Sequence, residues 1–178
     1  HGNINYLQRK AGNTLIDYFS SPYYIGNQLE AITDYGSSQN LYSIKEYNNR
    51  NLVTQDDFDY DANGNMTKDL DRNIVTIKYN LLNLPEVIQF KNGNQIRNLH
   101  DASGHKLSVR YVTVDAGVYN PLIPGQIVEN LDVNEMENVT ITGVDYVDNM
   151  EYNVSRYFDW DVTYEPQDAK SLWQVNKD

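Results

Sequence analysis

The sequence predicts an all-β protein made of successive antiparallel hairpins. Three observations indicate this: a composition rich in Tyr and Asn, a short turn-forming unit that recurs, and runs in which polar and apolar residues alternate. The 178 residues include 15 Tyr and 23 Asn; aromatic and β-branched residues favour strands, whereas Asn and Gly favour turns. We expect the hairpins to form an open curved sheet, a partial shell or a sandwich, with little helix.

A turn-forming unit recurs along the chain. It consists of an aromatic residue, often followed by Asp or Asn, a few turn residues, then Gly-Asn or a lone Asn, and an apolar residue that starts the next strand. The unit is found at "YIGNQL" (24–29), "YNNRNL" (47–52), "YDANGNM" (60–66), "YNLLNL" (79–84), "FKNGNQI" (90–96) and "HDASGHKL" (100–107). The opening "HGNI" matches its second half, so we expect a piece of a longer protein whose targeting signal lies elsewhere.

Each part of the unit has a role in reversing the chain. An Asp or Asn after the aromatic residue can accept hydrogen bonds from backbone N–H groups two residues on, and Gly or Asn supplies the positive φ of the reversal. We therefore interpret the defining residues as structural. They are Tyr60, Asp61, Gly64, Asn65, Tyr79, Asn83, Gly93, Asn94, Asp101 and Gly104.

The segment around Asn92-Gly93 predicts a β-hairpin. This dipeptide lies between "VIQFK" and "NQIRNL", two runs typical of strands. A two-residue type I′ turn needs positive φ at both central positions, and Asn-Gly is the pair that adopts it most readily. We therefore expect a type I′ turn at this position.

Alternating apolar residues predict strands at residues 74–79, 106–114 and 157–165. In the second of these, Leu107, Val109 and Tyr111 are expected to share one face. Helix is hard to place: the best segments are 127–136 and 166–173, and both are short.

The charge divides the chain unevenly. Residues 1–111 carry 11 Lys and Arg against 12 Asp and Glu, whereas residues 112–178 carry 3 against 13. We expect a repeat region at 1–111 and an acidic extension at 112–178 that packs on the sheet or completes it. The run 115–126, with Pro121 and Pro124, marks the boundary. An acidic surface repels phosphate, so nucleic acid is not an expected partner.

Several chemical classes lack their signatures in the sequence. There is no Cys, which excludes disulfides, thiolate nucleophiles and Cys-bound metal. No apolar run approaches the roughly 20 residues of a membrane helix, and neither a nucleophile elbow nor a phosphate-binding Gly-Lys-Ser/Thr loop occurs. We expect no enzyme, no cofactor and no membrane insertion.

The stretch "DFDYDANGNMTKDL" (57–70) resembles a calcium loop in its first half. Its first, third, fifth and sixth places are filled by Asp59, Asp61, Asn63 and Gly64. The twelfth place, where such a loop needs a bidentate Glu, holds Leu70. A turn is the better interpretation, with Phe58 and Tyr60 packed inward and Asp57 and Asp59 on a solvated strand face.

Two histidines and the tyrosines are the remaining site candidates. His100 and His105, with Asp101 between them, match no zinc spacing, and His100 stands where other units have Tyr or Phe. We interpret His100 as an aromatic substitute at a packing position. Tyr at strand spacing favours cross-strand packing, while stacked exposed rings would favour sugar binding.

The repeated unit resembles that of the Rhs/YD-repeat family, in the form found in large surface or secreted proteins of gut bacteria. The likeness spans residues 1–111 and is densest over 58–110. It rests on the ten residues given above together with Asn80, Leu84, Pro85 and Leu107. The resemblance implies antiparallel hairpins that spiral into a hollow shell around a C-terminal toxin. The Asp-Pro self-cleavage element of polymorphic toxins is missing from this sequence.

Together, these features predict a protein with a structural function. We expect a non-catalytic scaffold module of a large bacterial surface or secreted protein, part of a toxin-enclosing shell, whose partner is the rest of the parent chain. One alternative is a glycan- or protein-binding module that uses exposed Tyr and the acidic surface. Another is that residues 112–178 begin a toxin or effector region.

Overall fold

The computed structural model describes residues 2–36, 56–129, 138–147, 150–156 and 174–177. Within them the only helical element is a 3-10 turn, Leu70–Arg72. The strands are β1 Tyr6–Ala11, β2 Thr14–Ser20, β3 Tyr23–Ile25, β4 Gln28–Ala31, β5 Phe58–Tyr60, β6 Met66–Asp69, β7 Ile74–Tyr79, β8 Pro85–Phe90, β9 Gln95–His100, β10 Lys106–Val114, β11 Val139–Val147, β12 Met150–Arg156 and β13 Gln174–Lys177. The predicted all-β class is confirmed.

The chain divides into two compact units, residues 1–74 and residues 75–178. The first unit contains three antiparallel hairpins, β1–β2, β3–β4 and β5–β6. The first two hairpins turn through Gly12-Asn13 and Gly26-Asn27, and in each only the glycine has positive φ. Positive φ at the first central position alone is typical of a type II′ turn.

In the second unit the strands follow one another in the sheet in their order along the chain, as far as β13. Neighbouring strands run antiparallel. Short turns join β7 to β8, β8 to β9 and β9 to β10, whereas the connection from β10 to β11 is longer. The strand order is linear, so the sheet is open within the described residues. This confirms the open sheet among the predicted architectures.

The core of the second unit lies against the middle of its sheet. Val112, Val114 and Val139 are buried together, and Tyr119 and Ile141 pack against them. The predicted strand at 106–114 is confirmed. Of the three residues expected to share a face, Val109 is buried, whereas Leu107 and Tyr111 are exposed. Val112 and Val114, which alternate with them, are also buried.

Several predictions concern residues 112–178. Strand β10 continues across residue 111, and β11 pairs with it from Ser108↔Asp145 to Val114↔Val139. The division at residue 111 stays a prediction. Residues 127–129 are not helical, so the helix predicted at 127–136 is wrong over these residues. The rest of that segment, the strand at 157–165 and the helix at 166–173 lie outside the described residues.

Candidate functional site

Four turns of the chain share one backbone pattern, and we call them the five-residue turns. In each, the N–H of the first residue donates to the C=O of the fifth, and the N–H of the fourth donates to the C=O of the first, over 2.8–3.1 Å. The fourth residue always has positive φ. This is a three-residue loop with a type I turn and a left-handed fourth residue. The turns are Asp61–Asn65, Asn80–Leu84, Phe90–Asn94 and Asp101–His105.

Three of these turns are stabilised by the side chain of their first residue. Oδ1 of Asp101 accepts hydrogen bonds from the backbone N–H groups of Ser103 and His105 at 2.8 and 2.9 Å. Asp61 and Asn80 accept the equivalent pairs of hydrogen bonds. One oxygen therefore satisfies two N–H groups within five residues, as the sequence predicted.

The Phe90 turn has no acceptor oxygen on its first side chain and is supported from elsewhere in the second unit. The ring of Tyr119 lies over Gly93, where a Cβ would be 2.6 Å from Tyr119 Cδ2. The N–H of Leu122 donates to the C=O of Lys91 at 2.8 Å, and Oδ1 of Asn94 accepts from the N–H of Val114 at 2.9 Å. Within the turn, Asn92 Oδ1 accepts from the N–H of Asn94 at 3.2 Å, and residues distant in sequence supply the other contacts.

The structure corrects the predicted turn types. Asn92 does not have positive φ, so the type I′ turn predicted at Asn92-Gly93 is wrong. Asn83 has φ 58°, which places it at the glycine position of its turn, one place earlier than the repeat predicted. The segment "YIGNQL" forms a two-residue turn, so it is not a copy of the five-residue turns. Gly2 also lacks the positive φ of Gly64.

The carboxylate of Asp61 is already engaged by its own turn. Its Oδ2 accepts from Asn65 Nδ2 at 2.9 Å, in addition to the two N–H groups at Oδ1. The Asn65 side chain and then the backbone N–H groups lower the pKa of Asp61. Among the described residues no group of three or more His, Asp or Glu is placed to hold a metal ion.

Two acidic residues beside this turn have different environments. Asp59 is exposed, as predicted, but Asp57 is only 1% exposed, so its predicted solvated position is wrong. Oδ2 of Asp57 accepts from the N–H of Ile32 at 3.3 Å, and its backbone bonds to Glu30 and Leu70. Asp57 thus connects three segments of the first unit, and its burial follows from partners far away in sequence.

Lys68 is a buried cation that no pattern in the sequence distinguishes. Its ammonium forms ion pairs with Asp56 and, at 3.0 Å, with Asp59. Burial by itself lowers the pKa of Lys68, but the hydrogen bonds to Asp56 and Asp59 outweigh it, so the pKa is raised. The amine therefore stays protonated at neutral pH, which makes it an ion-pair partner and a poor nucleophile.

His100 and His105 occupy different positions in the turn from His100 to Lys106. His105 is exposed, and its Nδ1 lies 3.1 Å from Oδ2 of Asp101. His100 is the last residue of β9 and pairs with Lys106, at the place that Tyr60 has in its own turn. The backbone N–H of His105, followed by its side chain, lowers the pKa of Asp101. These contacts stabilise the turn.

A second feature with no signal in the sequence is a strap, which we define as residues 115–129. It crosses from β10 along β7, β8 and β9, and it is held by two buried glutamines. Gln95 Nε2 donates to the C=O of Val128 at 2.7 Å, and the N–H of Val128 donates to Gln89 Oε1 at 3.0 Å. The two amides also bond to each other. The proline run predicted as a domain boundary is thus part of the second unit.

The first unit presents a group of three tyrosines. The rings of Tyr6 and Tyr18 meet edge to face, with centroids 5.7 Å apart and an interplanar angle of 76°. Tyr35 lies 6.1 Å from Tyr18 at 56°. Tyr6 and Tyr35 are exposed. These angles are typical of aromatic packing and differ from the parallel rings that a flat sugar-binding platform requires.

The comparisons with known proteins leave the chain without a demonstrated relative. No family model, no curated protein and no solved structure matches it. The resemblance to the YD-repeat family therefore stays a prediction from the sequence. No helix in the described part of the chain is long and apolar enough to span a membrane.

Proposed function

We propose that this chain is a non-catalytic structural module, a series of hairpins that serves as a scaffold or wall segment of a larger bacterial surface or secreted protein of the YD-repeat type. The observation that carries the proposal is the use of the polar residues in the turns. Asp61 and Asp101, the strongest site candidates in the sequence, each direct a carboxylate at backbone N–H groups of their own turn. A carboxylate engaged in this way is a turn-forming group.

The strap supports the same proposal. Gln89 and Gln95, both 1% exposed or less, use their amides to hold the backbone of Val128. A buried amide must find hydrogen-bond partners, and here the protein's own chain supplies them. These two buried amides therefore act in assembling the second unit.

One specific observation favours a binding module as the second candidate. Tyr6 and Tyr35 expose more than half of their surface, and Gln8 accepts a hydrogen bond from the Tyr6 hydroxyl. Exposed rings beside an amide can contact a sugar. The effector alternative has no such support: within 112–178 the described strand β11 pairs with β10 instead of starting a separate sheet.

A ligand screen distinguishes the two candidates. The whole chain is tested on a glycan array, and its thermal unfolding midpoint is followed with Ca²⁺, Zn²⁺ and soluble polysaccharides. A scaffold gives no array signal and no shift of the midpoint, because only a ligand that binds the folded state raises it. A saturable shift that disappears in Tyr6→Ala and Tyr35→Ala, but persists in the control Tyr23→Ala, would replace the scaffold proposal with the binding module.

A further inference from the structure

Two of the five-residue turns contain the same tripeptide, Asn-Gly-Asn, in very different surroundings. In the first unit it is Asn63-Gly64-Asn65, and in the second it is Asn92-Gly93-Asn94. Asn-Gly is the dipeptide most prone to deamidation, because glycine leaves its amide nitrogen unhindered. Because the tripeptide is the same, the two asparagines should deamidate at nearly the same rate in an unfolded chain. Any difference in reactivity between the two therefore reports the folded structure.

We propose that Asn63 is the site of spontaneous deamidation in this protein and that the ring of Tyr119 protects Asn92. The Gly64 amide nitrogen gives up its proton to hydroxide and attacks Cγ of Asn63. A C–N bond forms, the bond from Cγ to the side-chain nitrogen breaks, and that nitrogen leaves as ammonia after taking a proton from water. Water then opens the cyclic imide at either carbonyl, giving Asp or isoaspartate.

The backbone resists this reaction about equally in the two turns. The attacking nitrogen must first leave a hydrogen bond, which Gly64 makes to the C=O of Asp61 at 3.0 Å and Gly93 makes to the C=O of Phe90 at 3.1 Å. The asparagine must then rotate its peptide group towards its own side chain. Oδ1 of Asn92 also accepts from the N–H of Asn94 at 3.2 Å. We assign the main difference between the turns to the groups that surround the peptide that has to rotate.

Both asparagines are exposed, and the two dipeptides differ at the glycine: Gly64 is open to solvent, whereas Gly93 is covered. Gly64 is exposed, and a Cβ built on it would find nothing closer than Gln28 Nε2 at 3.9 Å. Gly93 is buried, and a Cβ built on it would lie 2.6 Å from Cδ2 of the Tyr119 ring. Rotation of the second peptide requires the strap to open, and that opening has its own free-energy cost.

The product would alter the turn that contains it. Isoaspartate adds one methylene to the backbone between Asp61 and Asn65, so Oδ1 of Asp61 could no longer reach both N–H groups that it now binds. The Asp product would place a second carboxylate two residues from Asp61. The inference is independent of the proposed function, because it rests on the local chemistry of two turns.

The experiment is peptide mapping of the whole chain after incubation at mildly alkaline pH, with isoaspartate detected by enzymatic methylation. In denaturant the two asparagines should be lost at similar rates. In the native protein Asn92 should be lost about tenfold more slowly than Asn63, or slower still. Equal native rates, or faster loss at Asn92, would overturn the proposal, and this comparison needs no variant.

Substitutions of Tyr119 test whether its ring is what protects Asn92 from deamidation. Tyr119→Ala should raise the rate at Asn92 towards that of Asn63 and leave Asn63 unchanged, while Tyr119→Phe, which keeps the ring, should protect as the native residue does. Circular dichroism checks that each variant is folded. An unchanged rate at Asn92 in folded Tyr119→Ala would show that the ring does not protect it.

Discussion

The Phe90 turn and the Asp101 turn lie at the two ends of the same strand, β9, and have the same backbone hydrogen bonds. The Asp101 turn is stabilised by its own first residue, whose carboxylate binds two N–H groups of the turn. The Phe90 turn has one side-chain hydrogen bond of its own, from the N–H of Asn94 to Asn92 Oδ1. Its other support comes from Val114, Tyr119 and Leu122, which lie 20 to 31 residues beyond the turn residues that they contact. One backbone geometry can thus be specified locally or by tertiary contacts.

This difference has a physical consequence. A turn held by its own side chain forms its hydrogen bonds wherever the five residues occur, because the groups are never far apart. A turn held by distant residues exists only after those residues have been brought to it, so its stability is part of the stability of the whole unit. Substitutions at the Phe90 turn should therefore cost more than equivalent substitutions at the Asp101 turn.

The largest expected effect is that of Gly93→Ala compared with Gly104→Ala. Both glycines have positive φ, at 96° and 88°, so both substitutions cost about 1 kcal/mol in backbone strain. Only the first also displaces the Tyr119 ring, which adds about 1–3 kcal/mol of overpacking. Urea denaturation of both variants measures the difference in the free energy of unfolding. Equal losses would show that the strap does not hold the turn.

The second-largest loss of stability is expected when the buried amides that hold the strap, those of Gln89 and Gln95, are replaced. Gln89→Leu removes the acceptor of Val128 N–H and of Gln95 Nε2. Leaving these buried donors without it should cost about 2 kcal/mol. Gln95→Leu should cost a similar amount, and because the amides bond to each other, the double variant should lose less than the sum. Additive losses in the double-mutant cycle would contradict the coupled pair.

A smaller loss is expected for Asn80→Ala. Oδ1 of Asn80 accepts from the N–H groups of Leu82 and Leu84 at 2.9 and 3.0 Å. Its removal leaves those groups to water and should cost about 1 kcal/mol, the usual value for a side chain that caps backbone N–H groups. Asn80→Asp keeps the acceptor and is the matched control. If both variants lose the same stability, the side-chain oxygen is not the stabilising group.

The smallest effect is the pH dependence of the Asp101 turn. Hydrogen bonds from His105, the backbone N–H first, lower the pKa of Asp101 below its ordinary value of 3.8. A lowered pKa in the folded state means that the stability is fully present above pH 3.8 and is lost as the pH falls through the folded value. A urea-denaturation series at acidic pH measures the loss, which should be smaller in Asp101→Asn. An unchanged acid profile in that variant would exclude the carboxylate as its cause.

Much of the local structure could be predicted from the sequence. The strand at 106–114 and the turn around Asp101 follow from alternation and from Asp and Gly at fixed places, because the groups that interact are at most four residues apart. The exact turn type at Asn92-Gly93 was missed. Asn-Gly suits both the type I′ turn and the three-residue loop, and the choice between them depends on how the flanking strands pair.

The candidate site was predictable in part. The carboxylate of Asp61 was identified as a turn former, and its hydrogen bonds follow that prediction. The burial of Asp57, Lys68 and the two glutamines was not predictable, because a polar side chain is buried only when the fold brings it a partner. For Gln95 that partner is the backbone of Val128, 33 residues further along.

The sequence by itself determined the class of fold and the places where the chain reverses, since both depend on interactions within a few residues. Only the tertiary structure decided which residues of β10 are buried, which turn has a covering ring, and that the proline-containing run packs as a strap. Alternation divides the strand's residues between two faces but does not state which face is covered. Burial is set by the residues that pack against each face, and in this protein many of those residues are distant in the chain.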